Sequence, residues 1–209
     1  MKPIAQMSQL ELAAFVQEYL HQHGLEVVLS GGSAVMLYTQ GQYVSRDVDL
    51  IVLSLVRRRN LRQLMSELGF VEEGRHFVHP DSPYIVEFPP GPLAVGKEPV
   101  QSIYEVPLST GRLRVLSPTD CVKDRLAAFY HWNDRQALLQ AILVCRYNPV
   151  DLVEVARWSQ VEGAQEHFFR VPALVGGWWL VGDAHGGRST STRKSAHSPL
   201  RPSPHPAVQ

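Results

Sequence analysis

The sequence is first informative for what it is short of. Two cysteines in 209 residues, Cys121 and Cys145, cannot build a disulfide framework or a thiolate metal site, and both fall in apolar segments with helical spacing. They are expected as buried thiols of a reduced, cytoplasmic protein. No run of apolar residues reaches membrane-spanning length and no hydrophobic signal opens the chain, so no membrane partner is expected. Twenty Lys and Arg balance twenty Asp and Glu, so no overall field advertises nucleic acid, although a local basic patch is left open. After Asp183 no acidic residue occurs at all, and Ser, Pro, Arg and His dominate. Such a stretch cannot bury a core, and residues 163–209 are expected to be an atypical, disordered tail.

What the chain does have is a hydrophobic content of 44%, enough for a real core in one domain with an appendage. Its organising stretch runs from Leu25 to Leu53. An apolar strand over residues 25–29 leads into Gly31-Gly32-Ser33, then a short apolar helix over 34–39, then a second strand holding Asp47-Val48-Asp49. Side chains two apart on a strand share a face, so Asp47 and Asp49 project together while Val48 turns to the core. Paired carboxylates repel, and a fold keeps them most naturally around a hard cation such as Mg²⁺ (or Mn²⁺). Gly31 and Gly32 permit close backbone approach. Ser33 adds a hydroxyl where a helix N-terminus favours an anion.

Downstream, Tyr84 to Phe88 reads as a strand in which Glu87 sits among apolar and aromatic neighbours, a costly place for a carboxylate without a partner. Two hairpins are expected: Phe70-Val71 with residues 75–79 and 84–88, then Ile103 to Leu108 with Leu113 to Leu116. The Pro89-Pro90-Gly91-Pro92 loop redirects the chain between them. Helices are signalled by the capping box Ser8-Gln9-Leu10-Glu11, by Ser117-Pro118, by Asn133 or Asp134, and by Asn148-Pro149-Val150-Asp151. Arg57-Arg58-Arg59 is the densest local positive charge and reads as a solvated helix start. His21 and His23 read as structural residues closing the first helix.

Strand, Gly-Gly-Ser, short helix and Asp-x-Asp in this order resemble the nucleotidyltransferase fold of the DNA polymerase beta superfamily. The doubled Gly and the Arg46 before the acidic pair are most similar to its abortive-infection toxin branch. The resemblance covers roughly residues 8–162. It implies an α+β fold: a nucleotidyltransferase-like small mixed sheet flanked by helices over 1–116, followed by a C-terminal helical bundle over 117–162. It further implies Asp47, Asp49 and Glu87 as metal ligands, with Glu87 as the third carboxylate. Gly31, Gly32, Ser33 and Arg46 would contact an NTP substrate. That branch also places a Lys, matched here by Lys123, and a downstream Asp, matched less well by Asp134, against the nucleotide. The activity implied is metal-dependent NMP transfer to an RNA (tRNA), protein or small-molecule hydroxyl, as a toxin-type enzyme with an antitoxin partner. The alternative is an inactive nucleotide- or protein-binding module of the same fold.

Overall fold

The computed structural model describes residues 2–53, 58–89, 93–100 and 102–168. Arg57 and the tail from residue 169 lie outside the described residues, as does the Arg58 side chain, so the expectations made for them have no counterpart here.

The first helix, α1 (Gln9–Gln22), begins as its sequence dictates. The Ser8 hydroxyl accepts from the Glu11 N–H while the Glu11 carboxylate accepts from the Ser8 N–H, a reciprocal box that satisfies two otherwise orphaned donors. Its Leu12, Val16 and Leu20 are fully buried. Next come β1 (Val27–Ser30), α2 (Gly31–Tyr38), β2 (Asp47–Val52) and α3 (Arg58–Glu67). The strands β3 (Val71–Glu73), β4 (His76–Val78) and β5 (Ile85–Glu87) form a meander. A small hairpin, β6 (Ala94–Val95) with β7 (Glu98–Pro99), separates it from the long hairpin β8 (Ile103–Leu108) and β9 (Gly111–Leu116). Three helices close the described chain: α4 (Pro118–Trp132), α5 (Arg135–Tyr147) and α6 (Leu152–Val161).

Seven strands make one mixed sheet in the order β3-β4-β5-β2-β1-β9-β8. β1 runs antiparallel to β2 and parallel to β9, and β2 runs parallel to β5. The central strands are therefore the ones that carry the organising stretch. Val48, Leu50, Val86 and Phe77 are fully buried on alternate positions, as a sheet with one covered face requires. Gln17 of α1 pairs with the β9 backbone: its amide donates to the Arg114 carbonyl at 2.9 Å and accepts from the Arg114 N–H at 2.7 Å. Buried polar groups are thus paired rather than avoided.

The α+β architecture matches expectation, with three local differences. The helix expected at 34–39 begins at Gly31, so the two glycines are its first turn rather than a preceding loop. Pro90, Gly91 and Pro92 lie outside the described residues, and the residues that follow them form the β6–β7 hairpin, fastened by Trp158, whose indole N–H donates to the Val95 carbonyl at 3.0 Å. The packed chain also continues past residue 162, since Ala164 and Phe168 are buried. Among the described residues no helix is long and apolar enough to cross a membrane.

Candidate active site

The register of the sheet brings four chemistry-bearing side chains into one row. Ser30 on β1 stands opposite Asp49 on β2, Asp49 opposite Glu87 on β5, and Glu87 opposite His76 on β4. Residues directly opposite in a ladder share a face, so Asp49, Glu87 and His76 lie side by side on the face that Val48 and Val86 leave. Asp47 lies two residues before Asp49 on that face, exposed at the strand's beginning. Glu87 is on an inner strand, between β2 and β4, not on an edge. The His76 Nδ1 is 4.0 Å from Glu87 Oε1.

Gly31 explains why this turn has no side chain. A Cβ at Gly31 would overlap the Oδ2 of Asp49, and its φ of +61° is one that only glycine adopts without strain. Gly32 is nearly as confined, since a Cβ there would lie 2.9 Å from the Ser45 Oγ. The first turn of α2 therefore rests directly against the Asp49 carboxylate. Its N-cap, Ser30, makes no side-chain capping bond, so no side chain takes that role at this end of the helix.

Ser33 is positioned differently from the expectation. Its hydroxyl is fully buried, donates to the Asp47 carbonyl at 2.5 Å, and accepts from the Gln9 amide at 2.7 Å. Gln9 donates to the same carbonyl at 3.1 Å. As placed, the Ser33 hydroxyl holds the backbone from which Asp47 projects. Arg46 is exposed beside Asp47, and its carbonyl accepts the Ile85 N–H.

The two residues assigned to the later helices are not brought to the row. Lys123 is buried on α4, its ammonium 2.6 Å from Glu154 Oε1 and 3.5 Å from Asp120 Oδ1. Asp134 is the N-cap of α5 and accepts from the N–H groups of Gln136 and Ala137. The cation that acts on Asp49 is Arg125, two residues beyond Lys123. Two residues on a helix turn the direction by about 200°, so the two side chains leave opposite sides of α4. Arg125 is held by Asp124, whose Oδ2 accepts from its Nε at 2.9 Å and its Nη2 at 2.5 Å.

Burial lifts the Asp49 carboxyl to about 6. Arg125 opposes the rise, and the neighbouring carboxylates of Glu87, Asp124 and Asp47 add to it. Arg125 does not offset the burial and the like charges in full, so this carboxylate would be stabilised by a further cation. The donor set is all oxygen apart from His76, which suits Mg²⁺ or Mn²⁺. The side chains do not yet enclose an ion, since among the described residues no three Asp, Glu, His or Cys groups converge as a metal cluster. The residues suit a divalent cation by donor chemistry and register alone.

This sheet and its helices define a class. The architecture is that of a nucleotidyltransferase-like fold. An antigenic nucleotidyltransferase-like protein from Paracoccidioides brasiliensis superposes with a TM-score of 0.52 at 14% identity, over 78% of this chain and 93% of its own. A structure of ANT(2″)-Ia in complex with adenylyl-2″-tobramycin gives a TM-score of 0.46 at 16% identity, over 78% of this chain and 98% of its own. A solution structure of the antibiotic-resistance factor ANT(2″)-Ia gives 0.45 at 16%, over 77% and 91%. The last two overlays are too loose to carry weight, and at 14% identity the first establishes the fold alone. No protein-family model matches the sequence, and no curated protein matches it significantly.

Proposed function

We propose that this protein is a divalent-metal-dependent nucleotidyltransferase, transferring an NMP from an NTP to a hydroxyl. The observation that carries the reading is the register of Asp49 against Glu87 with the glycine turn of α2 packed onto Asp49. Asp47, Asp49 and Glu87 would hold Mg²⁺ or Mn²⁺. Such an ion, when bound, neutralises phosphate charge and lowers the pKa of an attacking hydroxyl. The amides of Gly31 and Gly32 at the start of α2 offer donors to phosphate oxygens. Arg125, a guanidinium oriented by Asp124, would counter charge developing on the leaving pyrophosphate, in place of Lys123. Ser33 and Gln9 hold the Asp47 backbone in place. Arg46, exposed at the mouth of the site, is a further phosphate partner.

The acceptor class stays at RNA, protein or small-molecule hydroxyl, because a fold hosts many acceptors. A toxin role with an antitoxin partner rests on the motif's resemblance alone. One observation favours a second reading, an inactive nucleotide- or protein-binding module: the carboxylates do not converge, and both Lys123 and the Ser33 hydroxyl are spent on the fold.

One experiment separates the two. The protein is incubated with each α-phosphate-labelled NTP, Mg²⁺ or Mn²⁺, and total cell RNA and protein, beside an Asp47→Ala/Asp49→Ala variant. Label in one fraction with the wild type only is the expected result and names the acceptor class. No label, together with nucleotide binding indifferent to metal, moves the assignment to the binding module.

A further inference from the structure

Beside the carboxylate row lies a cavity of about 440 Å³ between the β6–β7 hairpin and the C-terminal half of α4. That volume is within the range of small-molecule sites. Asp124 and Arg125 line this cavity, so the guanidinium whose charge reaches Asp49 is also part of its wall. Its walls divide by chemistry. Small side chains such as Ala127 and Ala128 leave space for a flat group. Trp132, the last residue of α4, contributes a large indole that is 77% exposed. An aromatic face this open has no folding reason to stay in water, and it offers a stacking surface.

Lys97 is exposed in the β6–β7 turn, and His131, on α4, sets its ring 5.8 Å from that of Trp132. Both are fixed by one buried carboxylate: Glu162 accepts from the Lys97 backbone N–H at 2.7 Å and lies 3.2 Å from His131 Nε2. Glu162 is spent on these contacts, its side chain only 1% exposed, and Asp124 is spent on Arg125. The charge left to face a ligand on this side is the Lys97 ammonium.

We infer that this cavity is a nucleotide subsite: Trp132 stacks an aromatic base and Lys97 takes the phosphate attached to it. A flat neutral ring with an anionic tail is the ligand that an indole face, small-residue walls and an ammonium select together. The inference deepens the nucleotidyl-transfer reading by adding a base site to it. The base comes either from the incoming NTP or from the terminal nucleotide of a nucleic-acid acceptor, and both present the same chemistry.

The test uses the full chain in EDTA, so that binding is measured without the metal on which the transfer reading depends. Calorimetry follows a ribonucleoside 5′-monophosphate, a short single-stranded oligoribonucleotide, and inorganic tripolyphosphate. Trp132→Ala is expected to weaken the two base-bearing probes about tenfold or more, as loss of one stacked base does. It leaves tripolyphosphate unchanged, and Trp132→Phe restores much of the loss. Lys97→Ala is expected to weaken the monophosphate while leaving its nucleoside unaffected.

Competition then assigns the source. Displacement of the monophosphate by an NTP with Mg²⁺ assigns the subsite to the NTP, and simultaneous binding assigns it to the acceptor. Equal losses for tripolyphosphate and base-bearing probes in Trp132→Ala overturn the proposal, as does wild-type protein that binds no base-bearing probe at millimolar concentration. Base binding without NMP transfer under any metal would sink the catalytic reading and leave the subsite standing.

Discussion

The two sides of α4 solve opposite electrostatic problems. On the side facing α6 the charges nearly balance. Lys123 and Arg157 are laced to Asp120, Glu154 and Glu98, and Arg157 bridges Glu98 and Glu154 at once. First the Arg157 guanidinium and then the Lys123 ammonium hold the Glu154 carboxyl down at about 2. On the side facing the sheet, the Arg125 guanidinium is paired with Asp124 and its charge reaches Asp49, which also feels the carboxylates of Glu87, Asp124 and Asp47. One network has its counter-charges built in, and the other lacks them. A fold that can satisfy carboxylates on one face of a helix and leaves them in excess on the other marks the second face as the working one.

The largest effect is expected from breaking the satisfied side. Lys123→Ala removes an ammonium that is 2% exposed from beside Asp120, also 2% exposed, and leaves Glu154 to Arg157. Breaking a buried pair by removing one partner costs about 3–5 kcal/mol. Urea unfolding should show a loss of that size, while residual folded protein binds nucleotide with unchanged affinity. A stable Lys123→Ala that loses nucleotide affinity would return this residue to the active site.

Arg125→Ala is the counterpart on the other side. It should lower the transfer rate by about 10²–10³-fold, as removal of a preorganised charge stabiliser does, with a smaller stability loss than Lys123→Ala. Arg125→Lys keeps the charge and loses the fork held by Asp124, so only a partial recovery of turnover is expected. Matched rate losses in Lys123→Ala and Arg125→Ala would erase the distinction between the two faces.

This division shows what the sequence could reveal. Asp47 and Asp49 sharing a face follows from period two, and the capping box of α1 and the β8–β9 hairpin follow from local chemistry, so all were legible. Glu87 was legible as a costly carboxylate in an apolar strand. Its alignment with Asp49 is a register, which one strand cannot announce. The choice between Lys123 and Arg125 was illegible for a related reason: both lie in one charged run, and which side of α4 meets the sheet is decided by packing. His76 carried no signal, being one histidine in a hairpin until β4 sets it opposite Glu87. Gly31 and Gly32 were legible as a point of close backbone approach, but that Gly31 opens α2 against Asp49 is set by packing between α2 and β2.

A smaller effect, of opposite sign, tests the unsatisfied side. Asp49 has its carboxyl raised from the ordinary value to about 6 by burial and by its acidic neighbours. The folded state therefore holds its proton more tightly than the unfolded chain. Stability from this group is fully present below about pH 4 and is lost as pH rises through about 6. A shift of this size corresponds to on the order of 2–3 kcal/mol. In EDTA, Asp49→Asn should abolish transfer yet stabilise the protein by up to that amount above pH 6, with the gain fading towards pH 4. Urea titrations across that range read it directly. Mg²⁺ or Mn²⁺ should raise the melting temperature of the wild type and not of Asp49→Asn. A variant equally stable at every pH would mean that the carboxylate is not strained.

The smallest expected effect concerns how the row is held. Ser33 loses one donor in Ser33→Ala, leaving the Asp47 carbonyl with the Gln9 amide and a longer contact from the Ser45 hydroxyl at 3.3 Å. Because that carbonyl keeps partners, the stability cost should be near the net value of one hydrogen bond, about 1 kcal/mol. Loss of the Ser33 anchor frees the start of β2, from which Asp47 projects. It should therefore lower kcat by more than it raises the KM for NTP. A hydroxyl that instead gripped phosphate would give the reverse, a raised KM with kcat nearly intact. Ser33→Thr sharpens the contrast, since it keeps the hydroxyl but must fit an extra methyl group into a fully buried position. Recovery of metal affinity without recovery of stability in Ser33→Thr would show that the Asp47 backbone, rather than the packing of α2, is what Ser33 secures.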